Sequence, residues 1–179
     1  PFKRVFNNKG VFFLYLVTKK YLEHFSLDFL FLGKEVSPRL GVERIGKLYL
    51  VELPFLVYGF FRLVTKNKRI FLILTSWLLL APLASALTTD SPHSLRSIVF
   101  LPSFQIISAY GFLFLFKLIK KKKGIILSKI FALCTYILLI FNFGYYLHFY
   151  YLYYSEESAN FWQDGCKEMV EYVLPRRNN

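Results

Sequence analysis

Four long apolar runs, separated by polar or basic residues, dominate the pattern of the chain. They cover residues 48–64, 70–87, 98–119 and 125–148. A helix needs about 20 predominantly apolar residues to cross a bilayer, and about 17 is the short limit. The pattern therefore predicts an all-α fold: a polytopic transmembrane helix bundle of about four spans, over residues 48–154.

The stretch before the first run is predicted to lie outside the bundle. Residues 21–31 mix apolar, polar and aromatic side chains in a way typical of an amphipathic helix lying along a membrane surface. We interpret residues 1–47 as an outer-face loop that carries this interfacial helix. Its polar side chains, Glu23, His24 and Asp28, are expected to be solvated, with a place at the mouth of a site as the alternative.

After the fourth run the chain becomes polar, with apolar positions at helical spacing over residues 155–174. Asn160 can cap this helix, with Gln163 reaching back. We interpret residues 155–179 as the start of a truncated outer-face domain, because the chain begins at Pro1 and ends soon after this helix. The apolar positions are Trp162, Cys166, Met169, Val170 and Val173.

The charge pattern predicts an orientation. The net charge is +12, and the basic residues fall mainly between apolar runs, as in membrane proteins, which disfavours a nucleic-acid partner. The short loops at residues 66–69 and 120–123 are strongly basic, whereas the loop at residues 88–96 holds one Asp and one Arg. By the positive-inside rule the lysine loops are cytoplasmic and both chain ends lie outside. We expect a multi-pass protein of the prokaryotic inner (cytoplasmic) membrane.

Motifs for cofactors are not found in the sequence. Cys134 lies in an apolar run and Cys166 in a polar one, so a disulfide between them is not expected. The chain has no glycine-rich phosphate loop, no nucleophile elbow and no metal-ligand spacing. No cofactor is therefore identified, and a requirement for a divalent metal stays open.

The loop at residues 88–96 is the main candidate site. Asp90 or Ser91 can cap a helix that begins at Pro92, which would place His93 and Arg96 on one face of its first turn. A helix N-terminus attracts anions, and an anion would also offset the unfavourable position of Arg96 there. The pattern favours a phosphate site at the membrane surface. The alternative is a polar connector whose arginine reaches lipid headgroups.

Glu52 is the second candidate, because it lies inside the first apolar run. Ionisable residues within a span are rare and usually face a cavity or a partner. The alternative is a carboxylate near enough to the interface to stay hydrated, or paired with a basic residue.

With these residues in hand, the chain resembles the GT-C class of membrane glycosyltransferases. It is most similar to prokaryotic relatives of the dolichyl-phosphate-mannose–protein mannosyltransferases and of the lipid A aminoarabinose transferase. Four segments carry the resemblance, in the right order along the chain: the surface-helix pattern, the start of the following span, the outer loop "D-x-P-H-x-x-R", and the segment leading into an outer domain. They are residues 21–31, 46–54, 90–96 and 162–168.

This resemblance implies transfer of a sugar from a polyprenyl-phosphate donor to an acceptor protein or glycolipid at the outer membrane face, with inversion at the anomeric carbon. It implies an acidic catalytic base in an earlier outer loop, outside this chain. The predicted substrate-binding residues are then His93 and Arg96 near the donor phosphate, with Glu52 lining the same cavity. The chain departs from the family pattern at Lys20, where Asn is expected, and at Glu23.

Two other functions remain open on the sequence. One is a non-enzymatic polytopic protein, such as a lipid or polysaccharide exporter subunit. The other is an oligosaccharide ligase, which also uses basic residues to hold a lipid diphosphate. An outer cavity shared by Arg96 and Glu52 would favour the enzyme.

Overall fold

The structure is a computed structural model that describes residues 9–35, 37, 40–42, 44–88, 90–162 and 165–177. Of these residues 82% are helical and none lies in a strand, which confirms the all-α prediction. The α-helices are α1 (Lys9–Glu23), α2 (Leu27–Phe31), α3 (Leu53–Lys66), α4 (Lys68–Leu80), α5 (Leu83–Ala86), α6 (Ser94–Ser97), α7 (Leu101–Lys123), α8 (Ile125–Leu152), α9 (Tyr154–Ser158) and α10 (Cys166–Arg177). Short 3-10 turns precede α3 at Leu50–Glu52 and α7 at Ile98–Phe100, and follow α9 at Ala159–Trp162.

Three helical stretches in the described chain are long and apolar enough to cross a membrane. They are Lys68–Ala86, Ser94–Lys123 and Ile125–Leu152, with mean hydropathies of 1.7, 1.9 and 2.1. These stretches correspond to the second, third and fourth predicted spans. The first predicted span forms only the 14 residues of α3 after a three-residue 3-10 turn. Three of the predicted spans are therefore helices able to cross a membrane by length and composition, and the count of four spans stays a prediction.

The centre of the bundle is the contact between α3 and α7, where two glycines face each other's backbone. A Cβ added at Gly59 would overlap the Ile107 carbonyl oxygen, and one at Gly111 would overlap the Phe55 carbonyl oxygen. The helices therefore approach more closely than side chains would allow, as at other membrane-helix interfaces built from small residues. Leu63 and Ile107 are almost fully buried beside this contact.

Basic residues gather at one end of the bundle. The Arg62 guanidinium carbon lies 4.7 Å from the Phe114 ring centroid, and Lys117 Nζ lies 5.6 Å from the same ring. The loops at residues 66–69 and 120–123 therefore lie at a common end, which we call the lysine end. Gly124 turns the chain from α7 into α8 there with a φ of 91°, a conformation that favours glycine.

The opposite end, which we call the cavity end, is formed by the described residues within the ranges 20–48, 85–96 and 146–154. The single surface helix predicted over residues 21–31 is wrong. The chain turns at residues 24–26, because Ser26 caps α2: its Oγ accepts from the Phe29 N–H at 3.2 Å and donates to the Glu23 carbonyl at 2.8 Å.

Three of the four apolar side chains of α2 belong to the core, whereas the fourth, Leu27, is 63% exposed. Phe29, Leu30 and Phe31 are buried and cluster with Leu48 and Phe100. The hydrogen bond from the Leu48 N–H to the Leu30 carbonyl, at 2.9 Å, ties the following loop back onto this helix.

The start of the third long helix also differs from the prediction. The N-cap of α6 is His93, with extended backbone angles and no side-chain cap, and neither Asp90 nor Ser91 caps it. The Ser97 hydroxyl donates instead to the His93 carbonyl, at 2.7 Å. Pro102 falls in the first turn of α7, where its missing N–H costs no helical hydrogen bond.

The single helix expected over residues 155–174 is wrong as well. The structure has α9, a 3-10 turn that contains Asn160, and then α10. The predicted cap partner Gln163 lies outside the described residues. The apolar face expected there is exposed, with Trp162 and Met169 each 63% accessible.

Candidate functional site

Two cations meet at Thr88, in the loop that the sequence singled out. Lys20 Nζ donates to the Thr88 carbonyl at 2.8 Å, and Arg96 Nη1 donates to Thr88 Oγ1, also at 2.8 Å. The Thr88 hydroxyl in turn donates a hydrogen bond to the Ser85 carbonyl, at 2.7 Å. We call Lys20, Thr88 and Arg96 the Thr88 site.

The fold brings Lys20 to this loop by fixing α1 against the end of α4 and α5. The Tyr21 hydroxyl donates to the Leu79 carbonyl at 2.9 Å. His24 Nδ1 contacts the Lys20 carbonyl at 2.9 Å and must donate to it, because a carbonyl oxygen only accepts. His24 Nε2 then accepts from the Ser85 hydroxyl, also at 2.9 Å.

His24 is fully buried, which corrects the expectation of a solvated side chain on a surface helix. Burial lowers the pKa of its imidazole below the ordinary value of 6.5, because a charged ring would lose its hydration. The neutral ring can accept from Ser85 while it donates to α1. His24 is therefore the polar link that positions Lys20.

The electrostatics of the Thr88 site favour an anion. Two positive groups held on the same residue repel each other, and an anion between them would turn that repulsion into attraction. Charge-assisted hydrogen bonds from Arg and Lys are the usual protein contacts of phosphate. The guanidinium of Arg96 is exposed, so a ligand can reach it without rearranging the core.

His93 and Arg96 do not share a face as predicted. His93 is 7% exposed and lies before the first turn of α6, whereas Arg96 is exposed and points to Thr88. The difference follows from the later start of the helix. The role of His93 in substrate binding stays a prediction.

Glu52 lies in a different cavity, deeper in the bundle. It is half-buried in the 3-10 turn before α3, and its carboxylate is hydrogen-bonded by the backbone of Tyr49. A cavity of about 380 Å³ opens beside it between α3, α7 and α8, with Gln105, Ser108 and Thr135 in the wall. In the described chain the lining of this cavity includes neither His93 nor Arg96, so the common cavity predicted for the three residues is not formed.

The cavity end holds two further cavities. One, of about 350 Å³, has three acidic residues and one basic residue in its described lining, and we call it the acidic cavity; they are Glu23, Asp28, Glu35 and Lys34. The other, of about 320 Å³, is lined by tyrosines of α8 and α9, and we call it the tyrosine cavity. Phe29 borders both cavities.

An ion pair forms part of the wall that separates these two cavities. Glu35 lines the acidic cavity and Lys47 lines the tyrosine cavity, and their side chains, 4% and 13% exposed, form a salt bridge. Lys47 Nζ also lies 5.8 Å from the Phe29 ring centroid. The wall therefore combines a nearly buried ion pair with an aromatic ring.

The described residues contain no group of three His, Cys, Asp or Glu side chains that could hold a metal ion. Sequence reasoning did find Arg96, because a lone arginine in a polar loop is conspicuous. It missed Lys20, which lies 68 positions before Thr88 and carries no local signal that would pair it with that loop.

The Thr88 site and its neighbouring cavities have to be interpreted from their own geometry and chemistry. No protein family, no curated protein and no solved structure was found to match the chain.

Proposed function

We propose that this protein is a membrane glycosyltransferase that uses a polyprenyl-phosphate-linked sugar as donor, and that Lys20 and Arg96 hold the donor phosphate. The observation that carries the proposal is the convergence of these two cations on Thr88, at 2.8 Å each. The resemblance of the outer loop to the GT-C class supports the same assignment.

The proposed role is stabilisation of a leaving group. When the sugar leaves its carrier, negative charge develops on the phosphate, and fixed positive groups lower the energy of that transition state. Arg96 and Lys20 are held in place by Thr88 before a ligand arrives, so little reorganisation is required. The acidic base that would activate the acceptor lies outside this chain in the proposal.

The proposal places α3 in the membrane as a fourth span. Its 14 residues follow a 3-10 turn, and from Phe55 to Arg62 it packs against α7, which is long enough to cross. The lysine end would face the cytoplasm of a prokaryotic cell, and the cavity end would face outward with the donor and the acceptor. Glu52, at the head of α3, would line the path of the lipid chain.

The test is transfer of radiolabelled sugar from polyprenyl-phosphate-sugar by membranes that carry this chain as part of a full-length protein that supplies the acidic base. We expect Arg96→Ala to lower the rate at least about 100-fold, the usual cost of losing one group that stabilises developing charge. Lys20→Ala is expected to lower it about tenfold, because Arg96 remains. The matched control is Lys122→Ala, which removes an exposed cation of the lysine end and should leave the rate unchanged.

Unchanged transfer in Arg96→Ala would remove the phosphate role from the Thr88 site. A correctly inserted wild-type protein that transfers no sugar from any of several donors would contradict the enzyme and favour an exporter subunit.

A further inference from the structure

The tyrosines near the end of α8 divide into two sets. Tyr146, Tyr150 and Tyr154 lie four residues apart, and all three line the tyrosine cavity. Their rings are nearly parallel: the centroids of Tyr146 and Tyr150 are 5.9 Å apart at 24°, and those of Tyr150 and Tyr154 are 5.3 Å apart at 15°. They form a row of phenol groups along one side of the cavity.

The second set points away from the cavity. Tyr145, Tyr151 and Tyr153 are exposed, Tyr151 to 73%, and none of them is part of the described cavity wall. This outward set has the position of an aromatic belt at a membrane interface. A belt explains the outward tyrosines, and Tyr150, which is 41% exposed, also reaches the surface. A belt does not explain why three tyrosines stack in a row along one open cavity.

The opposite wall of the tyrosine cavity comes from the loop before α3 and from α6. Lys47 is the cation in this wall, and its charge is balanced by Glu35. Ser94 adds a hydroxyl. The rest of the described lining is mainly apolar, with Leu40, Val42, Ile98 and Phe100 among its side chains. The cavity therefore combines apolar surface with phenol and hydroxyl groups and little net charge, which suits a neutral ligand that has apolar faces and also donates and accepts hydrogen bonds.

The volume of the tyrosine cavity further restricts the class of ligand. A volume of about 320 Å³ lies at the lower end of the range of ligand pockets, roughly 300–1,000 Å³. Such a space fits a single ring with hydroxyl groups better than a long acyl chain. Sugar rings match tyrosine walls chemically, because their C–H faces are apolar and their hydroxyl groups pair with phenols.

The cavity adjoins the Thr88 site through one short helix. Ser94 and Leu95 of α6 line the tyrosine cavity, and the next residue, Arg96, contacts Thr88. A ligand with a phosphate at Thr88 and a ring attached to it would have its ring beside this turn.

We propose that the tyrosine cavity binds the sugar ring of the donor, with Tyr146, Tyr150 and Tyr154 as the ring-binding residues. This inference rests on the proposed function for the source of the sugar, and it assigns the ring and the phosphate to separate places joined by α6. The ring is bound by uncharged groups, and the phosphate is bound by Lys20 and Arg96.

The first experiment needs no catalytic activity and no lipid carrier. Saturation-transfer NMR would be recorded for the methyl glycosides of glucose, galactose and mannose, with the protein in lipid nanodiscs. We expect transfer to at least one glycoside, about tenfold weaker binding in Tyr150→Ala, and a smaller loss in Tyr150→Phe, which removes only the hydroxyl. The control Tyr151→Ala truncates an outward tyrosine and should bind as the wild type does.

Absence of transfer to every glycoside in the wild type would overturn the proposal, and so would equal loss in Tyr150→Ala and Tyr151→Ala. Far-UV circular dichroism of each variant establishes that the helices are intact. Tyr150→Phe keeps the ring stack, so it tests the site even where the alanine variant fails to fold.

A second experiment separates the ring from the phosphate. Binding of polyprenyl phosphate would be compared with that of polyprenyl-phosphate-mannose and polyprenyl-phosphate-glucose. Tyr150→Ala should remove the extra affinity that the sugar gives and leave polyprenyl phosphate binding unchanged, whereas Arg96→Gln should weaken both. Unchanged binding of polyprenyl phosphate in Arg96→Gln would count against the Thr88 site. A wild type that binds the carriers with and without sugar equally well would overturn the ring site.

Discussion

The centre of the bundle and its cavity end are held together by opposite means. In the centre, α3 and α7 meet through Gly59 and Gly111, and close backbone contact leaves no room for a side chain. At the cavity end, α1, α2 and the loops are joined by polar bridges such as Lys47–Glu35 and His24–Ser85, with open space between them. The difference teaches where a ligand can bind. The glycine contact itself leaves no space for a ligand, although a cavity of about 380 Å³ opens beside it between α3, α7 and α8. At the cavity end, the polar bridges leave two cavities whose walls include polar side chains.

The largest expected effect on stability is at the Lys47–Glu35 pair. Lys47→Met removes the Lys47 charge from the salt bridge with the nearly buried Glu35 carboxylate, and removing one partner of a buried ion pair typically costs about 3 kcal/mol or more. The double variant Lys47→Met with Glu35→Gln removes both charges and should recover most of that loss. The measurement is the free energy of unfolding in an SDS titration of the micelle-bound protein. A double variant less stable than Lys47→Met would contradict this account of the wall.

The second largest expected effect on stability is at the contact between α3 and α7 in the centre of the bundle. Gly111→Ala places a methyl group against the Phe55 carbonyl and should lower the free energy of unfolding by about 2 kcal/mol. The matched control is Gly144→Ala on α8, where an added Cβ meets nothing within 4 Å and alanine also favours the helix. The same SDS titration compares the two variants. Equal stability of the two would mean that the glycine contact does not set the helix separation.

A smaller effect is expected at the link between α1 and α5. Ser85→Ala removes the donor to His24 Nε2 and leaves a buried acceptor, at a cost of about 1 kcal/mol. Because that link also positions Lys20, the variant should weaken polyprenyl phosphate binding more than it weakens methyl glycoside binding. Equal loss of both ligands would show that the whole cavity end had loosened.

The smallest expected effect is a pH dependence of the free energy of unfolding, which arises from His24 at the cavity end. His24 has a lowered pKa in the folded protein, so the unfolded chain binds its proton first as the pH falls through 6.5. The free energy of unfolding should therefore hold above pH 6.5 and decline below it, until His24 is protonated in the folded state too. His24→Gln should remove this decline, and His148→Gln, at an exposed position of α8, should keep it. A decline that persists in His24→Gln would assign the proton to another group.

The long helices were predictable because hydropathy is a local sum. Three predicted spans correspond to helices that are apolar enough to cross a membrane. The errors fall at helix boundaries. Ser26 breaks the helix expected over residues 21–31 by a capping hydrogen bond worth about 1 kcal/mol, which hydrophobic periodicity does not register. The helix expected from Pro92 begins instead at Ser94, with no side-chain cap at His93.

Only half of the candidate site could be predicted from the sequence. Arg96 stood out in its loop, but its partner Lys20 comes from a distant helix, and Glu52 faces a cavity that it does not share with Arg96. The tyrosines were visible as a cluster, yet which of them face inward depends on how α8 is rotated against the loop before α3.

By itself, the sequence determined the helical class, the three long apolar helices and the concentration of lysines in two short loops. These follow from properties that neighbouring residues share. Only the tertiary structure decided that Lys20 and Arg96 meet at Thr88, that His24 is buried, and that three tyrosines enclose a cavity. Such pairings depend on contacts between helices far apart in the chain. Backbone approach at Gly59 and Gly111 and buried hydrogen bonds set those contacts, and neither is encoded in a local pattern.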